Sequence, residues 1–123
     1  MVTETKPQIK TWPVANPVQE ILIKARDLIA DESHWTIRHR VDEYGRYCAL
    51  GAIGSVRNSP LFGLNNGDPD LVQATKYLYD AVMETGFESS SLYWPEGWGV
   101  AEFNNTHRHE AVIKAFDRAI ELA

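Results

Sequence analysis

The chain has a single cysteine, Cys48, so no disulfide can form within it, which agrees with a reducing compartment. It has no apolar run near the ~18 residues that a membrane-spanning helix requires. Its opening, Met-Val-Thr-Glu-Thr-Lys, lacks the charged-then-apolar order of a secretory signal. Together these absences predict a cytoplasmic protein that does not enter a membrane. Positive charge is also scarce: 12 Lys and Arg stand against 17 Asp and Glu, a net charge of -5. That balance argues against nucleic acid as a partner, because phosphate binding rests on clustered Lys and Arg.

Cofactor signatures are missing too. Gly63-Leu64-Asn65-Asn66-Gly67 lacks the Gly-Lys-Thr ending of a phosphate cradle. Asn65, Asn66, Asp68 and Asp70 do not follow calcium-loop spacing, which needs a Glu at its far end. His107 and His109 are two residues apart, so on a helix they diverge by about 200° and make a poor chelate. The reading is of a protein with no metal and no cofactor.

What is present is an ordinary globular composition, 44% hydrophobic and 24% charged over 123 residues, enough for one domain. Residues 1–15 carry Pro7 and Pro13 and little periodicity, so they are expected to form an extended arm pinned by Trp12, with a single helical domain over 16–123. Asn16-Pro17 reads as a cap and first helical residue, with Gln19 placed to complete a capping box. Val18, Ile21, Leu22, Ala25, Leu28 and Ile29 then keep helical spacing.

Cys48 to Val56 is uncharged and apolar or small on every side, which predicts a short central helix buried all round, started by Cys48. Gly51 and Gly54 each cost a helix about 1 kcal/mol relative to Ala, so backbone is expected to pack closely there. Asp68-Pro69 opens a further helix with Leu71, Ala74, Leu78, Ala81 and Val82 inward, ended by Gly86 in a left-handed conformation. The last helix is expected to be capped by Asn104, Asn105 or Thr106, with Val112, Ala115, Phe116, Ala119 and Ile120 inward.

Two stretches read differently. Trp35, Ile37, His39 and Val41 alternate with Thr36, Arg38 and Arg40, which predicts a strand, a turn at Asp42–Gly45 and a small hairpin. From Phe87 to Phe103 the aromatics Tyr93, Trp94, Trp98 and Phe103 mix with Pro95, Gly97 and Gly99, which predicts a structured aromatic loop ending in a strand at 100–103. The expected fold class is therefore mainly α: a compact four-helix domain with a small β-hairpin or short antiparallel strands.

Trp35, the run Tyr47-Cys48-Ala49-Leu50-Gly51-Ala52-Ile53, Val100–Asn105 with Thr106, His109 and Glu110, and the closing Phe116-Asp117-Arg118-Ala119-Ile120 resemble a family of small uncharacterised proteins of bacteria and their phages. That family repeats a Cys-Ala-Leu-Gly-Ala helix and a Trp-Asn-Asp cap before its last helix. Here the cap reads Phe103-Asn104-Asn105. The resemblance spans roughly 35–122 and implies no activity.

Two functional expectations follow. One is a small non-enzymatic binding or accessory protein, with a protein or small-molecule partner, acting through Tyr93, Trp94 and Trp98 with Arg38 and Arg46 nearby. Phage or mobile-element association fits the resemblance. The alternative is a cysteine-dependent hydrolase or transferase, with Cys48 as nucleophile, His107 or His109 as base, and Asn104 or Asn105 orienting the imidazole or donating to an oxyanion. In the first reading Cys48 is a small core residue. In the second its thiol is activated by the helix start.

Overall fold

A computed structural model describes residues 16–58, 68–89 and 95–123. Among them are five α-helices: α1 (Pro17–Leu28), α2 (Ala49–Val56), α3 (Pro69–Glu84), α4 (Pro95–Thr106) and α5 (His109–Leu122), with a 3-10 turn at Glu32–His34. Residues 1–15, the loop 59–67 and residues 90–94 lie outside the described residues.

The helix starts at α1 and α3 are written in their capping residues. Asn16 accepts a hydrogen bond from the Gln19 N–H at 2.8 Å, and the Asp68 carboxylate accepts from Asp70 N–H at 3.1 Å. Each is followed by proline, whose missing donor costs nothing at a first helical position. Gln19 also reaches across to α5. Its side-chain amide donates to the Ile120 carbonyl at 3.0 Å and ties α1 to the end of α5.

The stripes predicted for α1, α3 and α5 face one another. Ile21 and Leu22, Leu71, Leu78 and Val82, and Val112, Phe116 and Ile120 are all buried. α3 packs on both α4 and α5, and α1 on α2, α3 and α5. A charged pair also ties these helices: the guanidinium of buried Arg26 on α1 donates from Nε to Asp117 on α5 at 2.5 Å. Pairing and hydrogen bonding are what make burial of such a charge tolerable.

α2 is buried from Ala49 through Gly54, as its composition predicts. The close approach falls at Gly51, where the Arg40 backbone lies against the helix: a Cβ would overlap the Arg40 carbonyl oxygen and stand 2.6 Å from the carbonyl carbon.

Two features of the expected fold class are overturned, the four-helix count and the strands. Residues 95–106 form a fifth helix, so no strand exists at 100–103. Its apolar residues write only a weak stripe, and Gly97 and Gly99 read as loop. Helix formation here rests on packing rather than propensity: Val100, Phe103 and Asn104 are buried, and Gly99 lets the Tyr79 ring of α3 lie against the backbone.

The hairpin is also absent. Among the described residues the 35–47 segment has only two isolated bridges, Trp35 with Tyr47 and Val41 with Tyr47. Arg38 explains the difference. Its φ is 70°, a left-handed conformation that costs a non-glycine residue roughly 1 kcal/mol or more and interrupts the extended backbone that alternation requires. The expected turn does form, with Gly45 at φ 78° and the Asp42 carboxylate accepting from Tyr44 N–H and Arg46 N–H, each at 2.9 Å.

Candidate functional site

The 32–47 segment folds against the junction of α4 and α5, and a buried amide joins them. Asn104, on α4, is 1% exposed. Its Oδ1 accepts from the Trp35 indole N–H at 2.8 Å and from Ala49 N–H at 3.1 Å, while Nδ2 donates to the Thr36 carbonyl at 3.1 Å. Asn104 thus fixes Trp35, fixes the backbone beside it, and satisfies a donor at the start of α2 that no local side chain reaches. The next residue continues the seam: Asn105 Oδ1 accepts from Arg38 N–H at 2.7 Å, holding the left-handed residue in place.

Asn104, Asn105 and Thr106 belong to the end of α4 and do not cap α5. α5 begins at His109, with Arg108 in the cap position and no side-chain cap bond. Of the two histidines, His107 precedes α5 and His109 is its first residue.

Both imidazoles are committed to backbone carbonyls. His107 Nδ1 lies 3.0 Å from the Phe103 carbonyl and 3.0 Å from Thr106 Oγ1. The Thr106 hydroxyl donates to the Glu102 carbonyl at 2.7 Å. Since a carbonyl only accepts, the network assigns the His107 proton to Nδ1. The ring stacks on Phe103 with centroids 3.9 Å apart and meets the edge of Phe87. His109 Nε2 donates to the Ile29 carbonyl at 2.6 Å, which ties the start of α5 to the end of α1, and its ring sits 5.4 Å from that of Trp35.

Cys48 is held apart from this chemistry. The residue is 7% exposed. Its sulfur accepts from Gly51 N–H at 3.4 Å, as the cap of α2, and has no histidine partner. Burial pushes the thiol pKa up, against the smaller opposing pull of the Gly51 and Leu50 N–H groups and of the Arg40 charge. Desolvation outweighs the helix start, the reverse of what an activated nucleophile needs.

Where the 32–47 segment meets the α4–α5 junction there is a cleft of about 820 Å³. Trp35, Thr36 and Ile37 line it from the segment, and Asn105 and His107 to Glu110 from the junction; Glu32 and Arg46 complete it. Cys48 is not among the lining residues. Arg46 is held by its turn: Nε donates to Asp42 Oδ2 at 2.6 Å, and its guanidinium lies 5.3 Å from the Tyr44 ring centroid. Among the described residues, no three His, Cys, Asp or Glu side chains converge as a metal site would require, and no helix is long and apolar enough to cross a membrane.

The residues singled out from the sequence are therefore scattered. His107, His109, Asn105 and Arg46 share the cleft. Arg38 is exposed and touches the cleft's edge only through its backbone bond to Asn105. Trp98 stands 52% exposed on α4. Tyr93 and Trp94 lie outside the described residues. Sequence reasoning passed over Arg108 and assigned Trp35 to a strand. Nothing in their local sequence marks a cleft, because the two residues that bring its walls together, Asn104 and Asn105, read as caps of a helix they do not start.

Residues 13–122 match the model of a Family of unknown function (DUF6197), and the chain belongs to that family. At that level the match agrees with the resemblance drawn from Trp35 and the Cys48 helix. No curated protein and no solved structure matches the chain.

Proposed function

For this member of a family of unknown function, we propose a non-enzymatic binding role, with a small-molecule ligand received in the cleft between Trp35–Ile37 and the α4–α5 junction. The carrying observation is that the chain's only thiol makes no hydrogen bond to a histidine and does not line the cleft that His107 and His109 share. Cys48 is enclosed with its pKa raised, and both imidazoles spend a nitrogen on backbone carbonyls that hold the fold. The cleft, by contrast, has the size of a small-molecule site, for which a few hundred to about 1,000 Å³ is usual. It mixes an aromatic wall with several polar groups.

The bacterial or phage origin, accessory role and cytoplasmic placement read from the sequence belong to the same proposal. They are supported by the resemblance and by the lone cysteine. Trp98, exposed on α4, is the described remnant of the aromatic surface first expected to contact a partner.

Two-dimensional amide NMR with a panel of small polar compounds tests the reading. Shifts should gather on the Trp35 indole N–H, Asn105 and Arg108, and a Cys48→Ala variant should bind equally well. A turnover activity abolished by Cys48→Ala would overturn it in favour of the cysteine enzyme.

A further inference from the structure

We infer that the cleft takes a small organic anion, a carboxylate or phosphate monoester, whose oxoanion sits against Arg46 and Arg108 and whose apolar body lies on Trp35 and Ile37. The inference rests on the binding role proposed above and names the ligand class for the same cleft.

In a chain with a net charge of -5, carboxylates are plentiful, and the basic side chains mostly find them. Arg26 pairs with Asp117, Arg57 with Asp68 and Asp70, and Arg118 with Glu84 and Glu121. Lys24, Lys76 and Lys114 each pair with an acid one helical turn away. The Arg108 guanidinium has no carboxylate partner among the described residues, yet it lines the cleft.

Its position makes this more telling. Arg108 occupies the cap of α5, where the helix dipole is positive and a cation is disfavoured by a few tenths to about 1 kcal/mol. A locally unfavourable residue without a compensating partner is the kind of departure expected where function is served.

Arg46 supplies a second donor, already oriented. Asp42 engages Nε, which leaves the two Nη groups with no protein acceptor among the described residues. That outer edge is the fork that recognises carboxylate and phosphate oxygens in pairs. The acids of the cleft set the limit on charge. Glu110 is drawn toward Lys114 at 3.7 Å, whereas Glu32 has no cation beside it among the described residues, so it opposes a highly charged ligand. Trp35, its indole N–H held by Asn104, and Ile37 offer the apolar surface that a bare inorganic ion would leave unused.

The test uses four aromatic probes of similar size on the full chain: phenyl phosphate, benzoate, benzyl alcohol and benzylamine, followed by amide and indole NMR shifts. Phenyl phosphate or benzoate should shift Trp35, Asn105 and Arg108, and whichever binds more tightly identifies the head group. Arg108→Gln, at an exposed site with no carboxylate partner among the described residues, should weaken the anions about tenfold, the loss of roughly one charged hydrogen bond, and leave benzyl alcohol unchanged. Glu32→Gln should tighten the anions. If benzyl alcohol or benzylamine binds as well as the anions, or Arg108→Gln weakens every probe alike, the anion inference falls while the cleft remains a binding site. If none of the four shifts the cleft residues, both readings fall.

Discussion

Replacing Gly51 with Ala tests how closely α2 is enclosed. On helix propensity alone the change should stabilise by about 1 kcal/mol. The new Cβ, however, would overlap the Arg40 carbonyl oxygen and stand 2.6 Å and 2.9 Å from the Arg40 carbonyl carbon and Cα. All three atoms are backbone, so no rotamer change relieves the clash. The segment must retreat by about 1 Å or more, which strains packing by roughly 1–3 kcal/mol. Retreat also stretches the bond from Cys48 N–H to the Arg40 carbonyl, now 3.1 Å, worth about 1 kcal/mol. The net expectation is a loss of about 2 kcal/mol, or roughly 5–10 °C in Tm for a chain of this size. Gly99→Ala is the matched control. There the obstacle is the Tyr79 ring, 2.7 Å from the new Cβ, and a half-buried ring can turn aside, so the net change should stay within about 1 kcal/mol. Urea and thermal unfolding of both variants decide the matter. A Gly51→Ala protein as stable as the parent would refute the close backbone contact.

Cys48 in the folded protein should react slowly with iodoacetamide and titrate above the ordinary thiol value of ~8.5, reaching normal reactivity only in denaturant; fast modification near neutral pH would contradict its enclosure. Asn104→Ala should cost about 2–4 kcal/mol, since it strands the Trp35 indole N–H, Ala49 N–H and the Thr36 carbonyl together, and Trp35 fluorescence should change with it; an unaltered Tm would show these bonds to be replaceable. The Asp42 carboxyl, 8% exposed, is pushed upward by its burial, but the bonds from Arg46 and from Tyr44 N–H prevail and hold its pKa below the usual carboxylate value. A depressed folded value means that its stabilisation is complete above the unfolded pKa of about 3.9 and is lost as pH falls through the lower folded value. Stability measured from pH 5 downward should therefore fall less steeply for Asp42→Asn than for the parent, and parallel curves would show that Asp42 contributes nothing to the acid limb.

Sequence reading succeeded where the signal is local. Asn16-Pro17 and Asp68-Pro69 announce helix starts by short-range hydrogen bonding, and Gly86, at φ 93°, ends α3 as its composition implies. The stripe of Val112, Phe116 and Ile120 is legible because its period is that of the helix itself. It failed where long-range contacts decide. The alternation from Trp35 to Val41 is genuine in the sequence, but Asn105 stabilises Arg38 in a conformation that no strand contains. The glycines of α4 read as loop because the ring that needs Gly99 to be bare, Tyr79, is twenty residues earlier. A signal for α4 did exist: Pro95-Glu96 resembles a helix opening, and Val100, Phe103 and Asn104 share one face. The cleft was illegible for the same reason. Of its residues, the two histidines, Asn105 and Arg46 attract notice in isolation, and the feature that marks Arg108, lack of a carboxylate partner among the described residues, is visible only in three dimensions.

The amide of Asn104 has a consequence for how the chain reaches its native state. α2 is eight residues long, below the length at which helices persist alone in water, and one of its opening donors is satisfied by a side chain 55 positions further on. α2 and α4 should therefore form together, late and cooperatively, rather than α2 condensing first as a local seed. A fragment ending at Ser89 should then lack a persistent α2 despite containing all of its residues. In the intact protein the Ala49 amide should exchange its hydrogen only through opening events large enough to separate the two helices.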